Sequence, residues 1–218
     1  QWEKFCNISS WIVKPEYRDS SIDLLYPLLD LKDHTIISFT PTEGAYKVET
    51  RLFKLKVMDR YEVIIPAVPH LPALIKKKIH IFSLRRHPRE TLDRYLSDYE
   101  KKVFRDHEKF DCEHVVMVSG REYAYLVFKK IDKRHLPFAK LYYAGNLDFF
   151  LRHLEYLRFR IPLALRTVGI VVDSRFLKGK PVSFKKNKDF YMPMLYRSDH
   201  LQPHEIDYLY SEFFLLGA

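Results

Sequence analysis

Long apolar runs are missing from this chain. No stretch reaches the roughly 20 apolar residues that cross a bilayer as a helix, and no basic-then-apolar leader opens the sequence. The expectation is therefore a protein without a membrane span or secretion signal. Cysteine is scarce: Cys6 and Cys112 offer neither metal-ligand spacing nor a framework of bridges. Two such cysteines fit core packing in a reduced, cytoplasmic protein. Ten histidines are present, but none forms a convincing H-x-x-x-H pair, and the run His107–His114 is a loose cluster. Metal sites need three or four convergent ligands, so no metal is expected. A G-x-S-x-G elbow is also absent, which removes the usual serine hydrolase. Helix-turn-helix, zinc-finger and RNA-recognition signatures are absent too, so nucleic acid is not the expected partner.

What is present is a large apolar fraction and a basic balance. Hydrophobic residues make up 47% and aromatics 15% of 218 residues. That suffices for a packed core and argues against disorder. Lys and Arg outnumber Asp and Glu by 37 to 28, a net charge of +9. This favours anionic partners such as a phosphate-rich cofactor. The densest basic stretches, Lys76–His80 and Arg85–Arg89, read as a solvated face, or as attraction for an acyl-CoA or a nucleotide sugar.

The pattern along the chain alternates strand and helix, which argues for α/β architecture. Cys6–Val13 reads as a strand. After Pro15, Ile22, Leu24, Leu25, Leu28 and Leu29 fall at helical spacing, with Pro27 keeping that helix short. His34–Phe39 reads as a strand, Thr40–Phe53 as a capped helix, and the next apolar segment as a strand. Pro66, Pro69 and Pro72 mark an extended crossing and a boundary near residues 60–75. A helix from about Arg89 has one face made by Leu92, Tyr95, Leu96, Tyr99 and Val103. Ser119-Gly120 signals a hairpin. Phe138–Gly145 reads as a strand, Asn146 as the cap of a helix, and Thr167–Phe176 as a buried strand that places Asp173 and Arg175 at its end. An internal ion pair is the simpler reading of those two. Asp189–Ser198 reads as a further strand and His204–Leu216 as a closing amphipathic helix. Weakly, the strand–helix–strand unit of the first sixty residues recurs at Lys140–Val172.

One stretch carries chemistry: Val13 to Leu29, VKPEYRDSSIDLLYPLL. It has the layout of a phosphate-binding turn from which the glycines are gone. A strand enters a Pro-containing turn, an Arg follows, and hydroxyls lead into a helix. Backbone N–H groups at the positive end of a helix suit a diphosphate. Val13, Pro15, Tyr17, Arg18 and Ile22 match, in register, the pyrophosphate motif V-x-P-x-[YF]-R-x-x-G-[IL]-G. Here the sequence resembles the GNAT superfamily of acyl-CoA-dependent N-acyltransferases, as a tandem protein of bacterial type with degenerate motifs. The following segment, His34–Val57, is similar to the family's fifth strand, helix and final strand.

The resemblance implies GNAT-like mixed sheets flanked by helices, in two lobes. Residues 1–60 would be the C-terminal half of a GNAT domain, from its fourth strand onward. Residues 61–218 would be a second, degenerate lobe that closes the cleft or forms a homodimer. The family's first three strands would lie before residue 1 or be supplied from elsewhere. The implied activity is transfer of an acyl group from acetyl-CoA or another acyl-CoA to an amine of a small molecule or sugar nucleotide. Ile12, Val13, Arg18, Asp19, Ser20, Ser21 and Ile22 would hold the CoA. Glu16 and Tyr46 are the nearest groups for the proton transfers. Ser21 and Asp23 stand where the motif has glycines, and Asp23 brings a negative charge towards the diphosphate. Val48 stands where the family's general-acid Tyr is expected, and Tyr46, two residues away, would point elsewhere on the helix. These departures support an alternative: a non-catalytic GNAT-like scaffold or regulatory subunit.

Overall fold

The computed structural model describes residues 3–9, 11–68, 79–84 and 86–215. β1 (Lys4–Asn7) passes through a 3-10-helical crossover (Pro15–Leu29) into β2 (His34–Ser38). The helix α1 (Glu43–Arg51) leads on to the long β3 (Lys56–Pro66). β4 (His80–Ser83), α2 (Arg89–Asp93) and α3 (Asp98–His107) come next. A meander then runs through β5 (Glu113–Ser119), β6 (Glu122–Lys133) and β7 (Leu136–Ala144). The helices α4 (Leu147–Arg152) and α5 (Leu154–Leu165) return the chain to β8 (Gly169–Asp173). A 3-10 turn (Ser174–Leu177) precedes β9 (Lys186–Arg197), and α6 (Glu212–Leu215) follows.

The α/β class expected from the alternation is what the chain adopts, with all the described strands in one mixed sheet. Its order is β1-β2-β9-β3-β8-β7-β6-β5-β4. Residue 60, the expected boundary, lies inside β3. β1 and β2 are parallel, β9 is antiparallel to β2, and β3 is antiparallel to β9. From the other side the same pattern appears again: β7 and β8 are parallel, β3 is antiparallel to β8, and β9 is antiparallel to β3. The chain thus builds one unit twice. Strand, helical crossover, parallel strand and a long final strand occur in residues 4–66 and again in 136–197. Each unit lends its last strand to the other, so β3 and β9 lie side by side between the two parallel pairs. The successive antiparallel steps make the pair β7/β8 run opposite to β1/β2. Their C-terminal ends lie at opposite ends of the sheet.

Several local expectations are corrected. The strand expected over Cys6–Val13 is Lys4–Asn7. One more ladder bond, from Ile8 N to Ile37 O at 2.8 Å, ends the pairing. The chain then turns away, and the Trp11 indole N–H donates to Ser21 O at 2.9 Å. The helix expected after Pro15 is 3-10 in geometry. Pro27 has no N–H for an α-type bond, and Leu25 and Leu28, three apart, are the buried pair. Leu24 and Leu29 face solvent instead. The helix expected at His204–Leu216 is broken: Pro203–Glu205 is a 3-10 turn, and helix resumes only at Glu212. Between them Tyr208 N donates to Tyr142 O at 3.4 Å, so this segment lies along β7. The hairpin at Gly120 is present, with Gly120 at φ 62°. A second two-residue turn, Arg134-His135, joins β6 to β7 with φ of 53° and 64°.

Two clusters hold the layers together. The larger includes Val63, Ile65, Val172, Phe149, Leu157, Ile161 and Leu165, packing α4 and α5 on the central strands. The smaller joins the crossover to α1 through Leu25, Leu28, Ile36, Phe53 and Leu55. Arg197 of β9 pins this second cluster, donating to Leu28 O at 2.6 Å and Phe53 O at 3.3 Å. Close strand approach also needs Gly169: a Cβ there would come within 2.6 Å of Ile65 O. No helix among the described residues is long and apolar enough to cross a membrane.

Charge is buried at the centre of the sheet. Lys140 of β7, 4% exposed, has its ammonium 3.6 Å from Asp173 and 3.8 Å from Glu62. Lys133 also pairs with Glu62, and Arg175 lies 3.5 Å from Asp173. Tyr208 donates its hydroxyl to Asp173. Asp173 and Arg175 are thus an interior pair. The Lys140 ammonium also lies 4.8 Å from the Phe213 ring centre. Breaking a buried ion group by removing one member leaves its partners uncompensated. Lys140→Met is expected to destabilise the fold by about 3–5 kcal/mol, measured by denaturant unfolding. An unchanged midpoint would show that the cluster contributes nothing to stability.

Candidate functional site

The site is built where the first parallel pair comes apart. β1 and β2 hold register from Lys4 opposite His34 to Asn7 opposite Ile37. Beyond Ile8 they diverge, and a cavity of about 80 Å3 opens between their C-terminal ends. Ile8, Ser9 and Trp11 line it from the first strand's exit, and Ser38 and Thr40 from the second. The helix α1 closes the third side with Ala45 and Glu49. It starts there because Thr42 caps it, its Oγ1 accepting from Ala45 N at 3.3 Å. The C-terminal ends of parallel strands are a usual ligand position in α/β sheets.

Glu49 is the chemically distinctive group. It is 1% exposed, and its Oε2 has no hydrogen-bond partner. The Ser38 hydroxyl, on the same cavity, has none either. Burial pushes the Glu49 carboxyl above the ordinary carboxylate range, and the nearby Ser38 side chain offsets this only in part. A buried polar atom without a partner is costly. Glu49 Oε2 and Ser38 Oγ are two such atoms, on neighbouring side chains whose residues line one cavity.

Glu49 was absent from the residues singled out in the sequence. Its signal is a charged residue on an inward stripe: Ala45, Glu49 and Phe53 are four apart, with Glu49 and Phe53 buried. Tyr46 is half-buried and packs with Val48 against the smaller cluster around Leu25 and Phe53. Glu16 is exposed on the crossover.

The expected CoA-binding residues form an outer arc beside the fork. Ile12 is 87% exposed, and Arg18, Asp19 and Ser20 are exposed as well. Val13, Ser21 and Ile22 are half-buried. Among the described residues no ion pair involves Glu16, Arg18, Asp19 or Asp23. Pro15 has no N–H, and the Tyr17 N–H already donates to Lys14 O at 3.0 Å. The turn therefore lacks the four free donors that open an α-helix. Arg18 and the serine hydroxyls are what it offers an anion.

Other constellations have structural partners. His107 faces Val103 O at 2.7 Å and Leu209 O at 2.8 Å. His114 Nδ1 lies 2.6 Å from Tyr125 OH, and its Nε2 lies 3.3 Å from Cys112 Sγ. Burial pushes the Cys112 thiol up to about 12 and the His114 imidazole down to about 4. The pair is thus held neutral, opposite to a reactive thiolate–imidazolium. No cluster among the described residues has the make-up of a metal site. Of the basic stretches, Lys76, Lys77, Lys78 and Arg85 lie outside the described residues. Arg89 pairs with Glu108 at 2.9 Å.

No protein-family model matches the chain, and no curated protein matches it. Among solved structures it is similar to a functionally unknown conserved protein from Staphylococcus epidermidis ATCC 12228. The identity is 11% and the TM-score 0.47, over 85% of this chain and 80% of that one.

Proposed function

We propose that the chain is a GNAT-type N-acyltransferase, moving an acyl group from CoA to an amine of a small molecule or sugar nucleotide at the fork between β1 and β2. The observation that carries this reading is the Glu49 carboxyl, buried, with Oε2 unpartnered, on a residue that lines the gap between two parallel strands. Acyl transfer from a thioester needs little else from side chains. The amine nitrogen attacks the thioester carbonyl, the C–N bond forms, the C–S bond breaks, and the thiolate leaves and is protonated. Backbone N–H groups near Ile12 and Val13 would polarise the carbonyl oxygen. Glu49 takes the proton that the attacking nitrogen loses. A carboxyl whose pKa is raised by burial is nearer the working pH of a general base than an ordinary carboxylate. Arg18, Ser20 and Ser21 would meet the diphosphate through side chains. The two lobes of this reading are the two repeated units, joined through β3 and β9. Free Cys6 and Cys112 suit a cytoplasmic setting.

A second reading, a GNAT-like module that binds without turnover, is favoured by Asp23, which is exposed on the crossover. Calorimetry with acetyl-CoA separates the two. Saturable binding lost in Arg18→Glu, with an acyl-amine product detected by mass spectrometry, supports the enzyme. Absence of binding to folded protein removes it.

Glu49→Gln is expected to slow transfer by about 10²–10³-fold, the usual contribution of a positioned base. The wild-type rate should rise with pH through the raised Glu49 pKa, and that limb should vanish in the variant. An unchanged pH–rate profile would assign the base elsewhere.

The same carboxyl gives a prediction on stability. Its folded pKa lies above the unfolded one, so the folded state holds the proton that the unfolded state has released. Stability from this group is full below the unfolded pKa and is lost as pH rises through the folded one. Urea unfolding of wild type and Glu49→Gln from pH 4 to pH 8 should show the variant gaining relative stability as pH rises. A difference independent of pH would show that Glu49 is not held neutral by its surroundings.

A further inference from the structure

We propose that the cavity at the C-terminal end of β7 is a binding site for an organic cation, an amine or guanidinium carried on a small apolar body. It occupies, in the second unit, the place that the Glu49 fork occupies in the first, at the opposite end of the sheet. It is therefore separate from the proposed acyl-transfer site and does not depend on that reading. Its volume is about 610 Å3, within the range of small-molecule sites.

The charge of the lining is the first argument. The protein as a whole carries +9, yet this cavity presents Glu100, Asp148, Glu205 and Asp207 against one ammonium, Lys178. That ammonium already pairs with Asp148 at 2.8 Å. The remaining carboxylates face the cavity without a basic side chain of their own in it, apart from His204. A basic protein repels cations at long range, so a local acidic hollow marks a specific preference.

The second argument is the geometry of Glu100. It is 6% exposed, and its carboxylate oxygen Oε2 accepts three hydrogen bonds from described residues. Ser97 N donates at 2.9 Å, Ser97 Oγ at 2.8 Å and Tyr123 OH at 2.7 Å. The other oxygen, Oε1, is turned to Gly145, where an added Cβ would meet it at 2.4 Å and Tyr143 OH at 3.2 Å. A bare glycine thus leaves one carboxylate oxygen and one phenol at the cavity wall. The third argument is the aromatic surface. Tyr99, Tyr123, Tyr143 and Phe176 line the same space, and ring faces beside carboxylates attract ammonium and guanidinium groups. Asp207, whose Oδ1 accepts from Leu209 N at 2.8 Å, is held by burial at a pKa of about 6. A bound cation would stabilise its charged form.

The test is calorimetric titration of the chain with agmatine, spermidine and tyramine, with glutarate as the anionic control. At least one amine should bind saturably and glutarate should not. Glu100→Gln, which keeps the helix cap, and Asp207→Asn, which keeps the acceptor for Leu209, should each weaken binding about tenfold or more. Glu90→Gln, on the exposed face of α2, should leave the affinity unchanged. Preference for glutarate, or no saturable amine binding to folded protein, overturns the proposal. So does amine binding that neither cavity substitution weakens.

Discussion

The pairing of β3 with β9 is the constraint on which the other features rest. Each is the final strand of its own unit, and each is placed in the sheet next to the parallel pair of the other unit. Separating them would split the sheet into two parts, each holding the parallel pair of one unit and the last strand of the other. The exchange also fixes where the two forks face. A parallel pair followed by two antiparallel strands, repeated with shared strands, turns the second pair through half a circle. The C-terminal ends of β1/β2 and β7/β8 are then held apart by the width of the sheet. The buried charges sit on this same seam: Glu62 is on β3 and pairs in register with Asp173 of β8 and Lys188 of β9. Charges so placed are satisfied only when the strands hold this register, so they specify the alignment even where their net contribution to stability is small.

Periodicity made the elements legible where packing is one-sided and regular. His34–Ser38, Glu43–Arg51 and Gly169–Asp173 stand where the pattern of apolar residues puts them. The misses have physical causes. The crossover Pro15–Leu29 is wound more tightly than an α-helix because Pro27 interrupts the donor series, and no hydrophobic spacing reveals that. The turn Arg134-His135 lacks the glycine or asparagine that usually marks positive φ, so β6 and β7 read as less closely joined than they are. Ile206, Leu209, Tyr210 and Phe213 satisfied a helical spacing by coincidence: Ile206 is extended, residues 208–210 form a bend and turn beside β7, and only Phe213 is helical. The weak repeat noticed at Lys140–Val172 does coincide with β7, α4, α5 and β8. Its exchange of strands was invisible because it depends on which strand lies beside which.

The site was legible only in outline. The sequence drew attention to the arc Ile12–Ile22, which lies on the outside of the fork. It missed Glu49, because a charged residue in a helix that also carries Glu43, Lys47 and Arg51 looks like part of a solvated face. Only burial distinguishes it: Glu43 is exposed and bonds Lys47 at 2.7 Å, while Glu49 is enclosed with its Oε2 unpartnered. Glu100 was hidden in the same way, as the third residue of a capping box. In both forks the informative carboxylate is the one that is buried, Glu49 at 1% exposed and Glu100 at 6%.

The two forks also show how a duplicated architecture can divide its labour. The first has one enclosed carboxyl in a small cavity, with an exposed arc outside it that carries Lys14 and Arg18, Glu16 and Asp19, and two serines. The second has several carboxylates and tyrosines around a larger space. Linings that differ this much in size and in number of carboxylates argue against two copies of one site. If each fork retained the same ligand, the carboxylates of the second would oppose the anion that Arg18 of the first could attract. The shared strands also mean that neither fork is independent of the other's stability, since β3 and β9 belong to both.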